Sequence, residues 1–427
     1  MNPLSIALKG KGVLTLARRG ASLVERYGLT SARLDRELGR LADLTEQYSC
    51  RATLPITTVV LRRHAALIRA YQARGVEFAM HGYQHVDHSQ LSEAAQTAQL
   101  SAARQVFEQA GLQLRGFRGP YLRYNAETLT VLRQLGLSYD ASPAYAWDVL
   151  DIPETAAYRH VKEFFHARPA ELYPVVPELD GALVRLPYSL PDDESLVERL
   201  ALSEAAPMRR LWLASLRRSH ERGELFTVGL HPERTTLCLE ALQAVLAEAR
   251  GRQPGVWIAR LDEIADWWRS RAAATLTVTP AGDGAFQVAV AGPADATVLA
   301  RAVEVQADTH AWADGYQRIA APAFTVRAAR RPCLGASPRT ADALVSFLRQ
   351  QGYGVEVTDE RERYDLYLDR PAFVGEDKRP LLDEIEAAGT PLVRLGRWPA
   401  GARSALAVTG DIDALTLWDY GLRLVER

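Results

Sequence analysis

The segment Ala405-Leu-Ala-Val-Thr-Gly-Asp-Ile-Asp413 constrains this chain most: a short apolar run, strand-like in composition, that finishes in two carboxylates. Far upstream, Val76-Glu-Phe-Ala-Met80 is a second strand-like run, followed at once by His81-Gly-Tyr-Gln-His85. One carboxylate and two imidazoles four residues apart form a set of metal donors that leaves positions for water. The donors lie at opposite ends of the sequence. If they meet, the fold is closed by its own C-terminal strand.

Other polar groups also follow strand-like runs: Arg118-Gly-Pro-Tyr121, Asp140-Ala-Ser142 and His231-Pro232. In parallel α/β barrels, active sites gather at the C-terminal ends of strands. Each piece has an ordinary reading. His81 and His85 also fit one helix face at i, i+4, Arg118 a surface ion pair, and His231 a loop. Asp411 and Asp413 also fit the N-cap of a short helix over 414–426. Their joint occurrence at strand ends favours a site.

At 427 residues, 48% of them hydrophobic and with a net charge of −1, the chain has room for two or three cored domains. No basic excess points to nucleic acid. Cys50, Cys238 and Cys333 share no CxxC spacing and leave an odd count, which reads as reduced thiols in the cytoplasm. The first residues lack the apolar core and cleavage site of a signal peptide. No apolar run approaches the roughly 20 residues of a membrane span. Residues 4–24 mix aliphatic side chains with Lys9, Lys11, Arg18 and Arg19, so a peripheral contact with an anionic membrane is one reading and a helix packed on its own domain the other.

The pattern predicts α/β rhythm over 1–272, with a helix over 17–48, strands over 52–60, 76–80, 114–118, 137–140, 182–186, 225–230 and 255–259, and helices between several of them. A small β module follows over 273–331, opened by a hairpin across Pro280-Ala-Gly-Asp-Gly284. A small α/β module spans 332–402, in which Cys333-Leu-Gly-Ala-Ser-Pro338 opens a helix running to Gln351. Residues 403–427 then supply a terminal strand and helix that complete the first barrel.

With these residues in hand, the chain resembles the polysaccharide deacetylases of the NodB-homology type, carbohydrate esterase family 4, in a circularly permuted order. His81-Gly-Tyr-Gln-His85 matches the family's histidine motif, Arg118-Gly-Pro-Tyr121 its R-x-P-Y segment, and Gly229-Leu-His231 its L-x-H motif. Thr409-Gly-Asp-Ile-Asp413 matches the spaced form of its opening T-x-D-x-D motif, with Gly410 in place of the family's Phe or His. The resemblance implies a distorted (β/α) barrel. It also implies a divalent metal, zinc first, on Asp413, His81 and His85, with Asp411 as general base, Arg118 as its partner and His231 as general acid. Tyr121, Pro120, Asp140 and Trp147 would shape the substrate site, the Tyr121 N–H helping to stabilise the oxyanion. The implied reaction is hydrolytic N-deacetylation of an N-acetylated glycan, polymeric or lipid-linked. A binding protein that keeps the fold without catalysis is the competing reading. A phosphate cradle at Gly335-Ala-Ser337 is weaker, because Ser337-Pro338 makes an ordinary helix start.

Overall fold

In the computed structural model, described for residues 26–149 and 155–422, the terminal strand lies inside the principal sheet. Nine strands make that sheet: β1 (Ala52–Ile56), β2 (Glu77–Met80), β3 (Gly116–Phe117), β4 (Tyr139–Asp140), β5 (Glu178–Asp180), β6 (Leu183–Arg185), β7 (Leu225–Gly229), β8 (Val256–Ile258) and β9 (Ser404–Thr409). Their order is β7-β9-β1-β2-β3-β4-β6-β5, and β8 also pairs with β9. Every pairing is parallel except the β5–β6 hairpin. One edge of β9 is shared, its first half by β8 and its second half by β1.

Period-two alternation explains why Ala405 to Thr409 is buried throughout. Leu406 and Val408 join the helix-side core with Leu54, Phe78, Phe226 and Val228. Ala405 and Ala407 face the opposite core, where Trp268 and Trp398 leave room only for small side chains. A second small parallel sheet, Ala144–Ala146 with Arg168–Pro169 and Tyr188–Leu190, abuts β7. Ser189 N–H donates to Thr227 Oγ1 at 2.7 Å and Thr227 N–H to Ser189 Oγ at 3.2 Å, so side chains bridge where no ladder runs. The result is the distorted, mostly parallel α/β barrel that the sequence predicts.

Several expected boundaries move. The run 52–60 is strand only to Ile56, and Thr58 already begins a helix to Ala73. Its β-branched start is held by Thr58 N–H and Val59 N–H donating to the carbonyls of Gly82 and Tyr83, which ties it to the histidine loop. The segment Cys333–Pro338, expected to open a helix, holds a buried strand, Leu334–Ala336, central in a three-stranded parallel sheet, and the helix begins at Asp342 and not at Pro338. The hairpin Thr275–Gly282/Ala285–Ala291 forms as expected. Leu392–Leu395 pairs with Val298–Arg301, so one antiparallel sheet draws strands from both sides of residue 331. Helices Ala205–Glu221 and Thr235–Gly251 were not anticipated. The expected terminal helix is Leu417–Leu422 among described residues, and Thr416 with Asp419 caps it, not Asp411 or Asp413. The amphipathic segment 4–24 lies outside the described residues. No helix among them is long and apolar enough to cross a membrane.

Candidate active site

Strand register brings the polar groups together. Met80 pairs with Phe117, so His81 and Arg118 leave neighbouring strands at one level. Gly229 pairs with Thr409, so His231 and Asp411 do the same. Ile56 bridges Ile412, and that contact fixes Asp411 and Asp413 beside β1. Gly410 is required here by close approach: a Cβ would lie 1.9 Å from the Leu230 carbonyl oxygen.

His81, His85 and Asp413 offer donor atoms that all lie within 4.8 Å of one another. Asp413 Oδ1 is 3.5 Å from His81 Nε2 and 3.4 Å from His85 Nε2. His81 Nδ1 is 2.8 Å from the Arg118 carbonyl oxygen. Donation there fixes the tautomer and turns the Nε2 lone pair toward Asp413, the usual outer-shell arrangement of a ligating histidine. Two imidazoles and one carboxylate suit a zinc-like divalent ion. The residues fit the group. The ring of Tyr121 stands edge-on to His85 at 4.4 Å, with Tyr121 at φ 58° on the turn Pro120–Leu122.

Asp411 is set apart from the donor trio. Its Oδ1 accepts from Arg118 Nη1 at 2.7 Å, and its Oδ2 lies 3.8 Å from His81 Nε2. Arg118 is wholly buried, donates through Nε to the Ala141 carbonyl at 3.1 Å, and lies over the Tyr188 ring at 4.6 Å. Burial alone would depress the guanidinium pKa, but the Asp411 charge outweighs it and the net direction is up. The fork holds one carboxylate oxygen and leaves the other facing the histidines.

His231 has a partner that sequence reasoning missed. Asp193 accepts from His231 Nδ1 at 2.8 Å and from its backbone N–H at 3.0 Å, and Arg234 Nη1 donates to the same carboxylate at 3.1 Å. Burial alone would lower the imidazole pKa, yet the Asp193 charge and hydrogen bond raise it well above the ordinary value. Burial would raise Asp193, but His231 and Arg234 hold it well below the usual carboxylate range. Neighbouring Asp192 is pushed up to about 6 by burial and by the Asp193 charge, and accepts from Tyr188 Oη at 2.8 Å. Tyr188 in turn supports Arg118. Its hydroxyl occupies the space a Cβ on Gly229 would need. The acidic run Pro191-Asp-Asp-Glu194 after a strand was the available signal.

Two expected substrate residues lie elsewhere. Asp140 is fully buried, 2.8 Å from Arg185 and hydrogen-bonded to Ser142, whose hydroxyl accepts the Gly119 N–H at 2.8 Å. Through Ser142 it braces the Arg118-Gly119-Pro120 turn, and its charge is paired with Arg185 inside the protein. Trp147 is 1% exposed, donates to Ser189 Oγ at 3.1 Å and packs with Tyr145, Ala170 and Val175, so it is core. Pro120 is buried and opens the Pro120–Leu122 turn. His88 is buried against Phe117, and burial lowers its pKa to about 4.

A family model described as polysaccharide deacetylase matches residues 37–139, which include His81, His85, Arg118, Pro120 and Tyr121. The match covers less than half of the chain, and the likeness applies to that span. His231, Asp411 and Asp413 lie beyond the matched span, and the fold brings them to it. Two solved structures designated polysaccharide deacetylases are similar. One, from Pseudomonas aeruginosa PAO1, is 20% identical over 55% of this chain and 73% of that one, with a TM-score of 0.42. The other, from Mycobacterium smegmatis, is 21% identical over 58% and 82%, with a TM-score of 0.44. An allantoinase structure is 20% identical over 55% and 72%, with a TM-score of 0.42. No curated protein matches the chain.

Proposed function

We propose that the chain hydrolyses the acetamide of an N-acetylated sugar in a glycan, with a divalent ion, zinc first, held by His81, His85 and Asp413. The chemistry such an ion supplies is polarisation of the amide carbonyl and a lowered pKa for water. Asp411, held and aimed by Arg118, accepts the proton of the attacking water. His231, kept protonated by Asp193, gives a proton to the sugar nitrogen as the C–N bond breaks. Water is consumed; acetate and a free amine leave.

The observation that carries this reading is the division of labour between the two aspartates. Asp413 lies against both imidazoles, while Asp411 is bound to a buried arginine within 3.8 Å of His81. A scaffold without catalysis has no need of a second carboxylate so held. By the family resemblance, the late position of the pair is a circular permutation: β9 takes the place between β7 and β1 that a first strand would fill. Loop closure over the long intervening segment costs little extra, because it grows only logarithmically with length.

Metal content by elemental analysis, on wild type and Asp413→Ala together, tests the centre. About one equivalent of zinc in the wild type and loss in the variant is expected. Metal retained in Asp413→Ala would sink the assignment. Asp411→Asn should keep the metal and release acetate from N-acetylglucosamine oligomers about 10² to 10⁴-fold more slowly. Unchanged turnover there removes Asp411 as base.

A further inference from the structure

A cleft of about 780 Å³ lies at the other end of the barrel, between the start of β8, the turn before β9 and the strand Thr309–Ala311. Gln253, Trp257, His310, Trp312, Arg318 and the backbone of 399–402 line it. The catalytic groups follow the C-terminal ends of the strands, whereas Val256 and Ala402 stand at strand starts. The six residues of β9 alone separate these ends by about 20 Å. The cleft is therefore not part of the catalytic site.

Its lining has a definite chemistry. Trp257 sits between two buried residues, Val256 and Ile258, so alternation turns its indole to the opposite side, against Trp267 and Trp398. The Trp312 indole N–H is engaged with the Gly401 carbonyl at 3.0 Å, which fixes the ring at the cleft wall. Ala400 at φ 52° and Gly401 at φ 78° turn the chain tightly beneath it. His310 and Gln253 are exposed at the rim. Sugars present a C–H face that lies on an aromatic ring and a fringe of hydroxyls that hydrogen-bond at its edge. Two ring walls with a few convergent polar groups match that pattern, in a volume suited to a small oligosaccharide. Among the described residues the lining contains no carboxylate, and its fixed charge is the Arg318 guanidinium.

We propose that this cleft binds an uncharged, N-acetylated stretch of the glycan and disfavours the deacetylated stretch, whose protonated amines meet Arg318 without a compensating acid. The choice of N-acetylated sugar rests on the function proposed above; the saccharide chemistry rests on the cleft. Binding would thus hold unprocessed chain near the enzyme and release processed chain.

The test is calorimetric titration of Asp411→Asn protein, which cannot consume the ligand quickly, with the tetramers of N-acetylglucosamine and of glucosamine. The acetylated tetramer should show a binding event that Trp312→Ala weakens about tenfold or more. His310→Ala, at an exposed position outside the core, should weaken the same event and serves if Trp312→Ala folds poorly. His81→Ala should leave it unchanged. The glucosamine tetramer should bind there at least about tenfold more weakly. No binding of the acetylated tetramer, or equal binding in both cleft variants, overturns the proposal, and equal affinity for the two tetramers overturns its selectivity. In otherwise wild-type protein, Trp312→Ala should leave kcat/KM on the N-acetylglucosamine dimer unchanged, since a dimer cannot span both sites. Cleft binding without acetate release from any acetylated oligomer would defeat the function proposed above and leave the cleft standing.

Discussion

At the scale of single residues, charge partners decide what each group can do. In the reaction proposed above His231 gives a proton only while protonated, and Asp193 favours that form. The raised imidazole pKa places the alkaline limb of the rate profile above the ordinary histidine value of about 6.5. Asp193→Asn should move that limb to lower pH and reduce kcat, read from kcat against pH. A limb that stays put would remove His231 as the acid. The sign for stability is the same on the alkaline side. This pair contributes fully between the ordinary carboxylate value of about 3.9 and about pH 6.5. Its contribution is lost as pH rises through the raised imidazole value, and is lost on the acid side as pH falls through the depressed Asp193 value. Arg118→Lys should lower kcat at least about tenfold with little change in KM, because an ammonium cannot hold both Asp411 and the Ala141 carbonyl in a fixed fork. Equal activity in the lysine variant would reduce Arg118 to a source of charge alone. The motif residues were legible in sequence, since their types and order are distinctive. Asp193 was not, because its role depends on a hydrogen bond across 38 residues of chain.

At the scale of elements, β9 and the turn after it carry the site. Its residues alternate between two cores, and its end is fixed by the Ile56–Ile412 bridge and by Gly410 against Leu230. The segment that follows is pinned by Asp419, which pairs with Arg63 and with His64, where the helix Thr58–Ala73 kinks. Gly410→Ala should therefore displace both aspartates. Zinc bound per protein should fall, with acetate release lost in parallel, while circular dichroism stays close to wild type. Full metal occupancy in that variant would show that the turn tolerates the shift. Apolar runs gave the strands their approximate places, yet Thr58 to Val60 became helix and Leu334 to Ala336 became strand. Propensity lost in both cases to tertiary context: backbone N–H groups found carbonyls in the histidine loop, and a buried slot between two parallel strands remained to be filled.

Across the whole molecule, the two ends of the principal sheet carry different polar groups. Opposite the catalytic end, Glu77 is fully buried and accepts hydrogen bonds from Thr53 at 2.6 Å, Tyr139 at 2.7 Å and the Asp262 N–H at 3.2 Å. Burial, then the Asp262 charge, push its carboxyl up to about 8. A raised acid contributes stability fully below its unfolded value and loses it as pH rises through about 8. Glu77→Gln should therefore raise Tm relative to wild type at pH 8.5 and less so, or not at all, at pH 5, as measured by thermal melts across that range. A uniform shift at both pH values would show that the carboxyl does not titrate in this window. The sequence by itself determined the strand-end motifs, the α/β rhythm and the requirement that a C-terminal strand reach an N-terminal one, because local patterning and side-chain chemistry are written in it. Only the tertiary structure decided that Asp140 and Trp147 are buried, that Asp193 pairs with His231, and that Asp413 meets the two imidazoles while Asp411 meets Arg118. Those outcomes depend on register and burial, which arise when strands distant in the chain pack side by side.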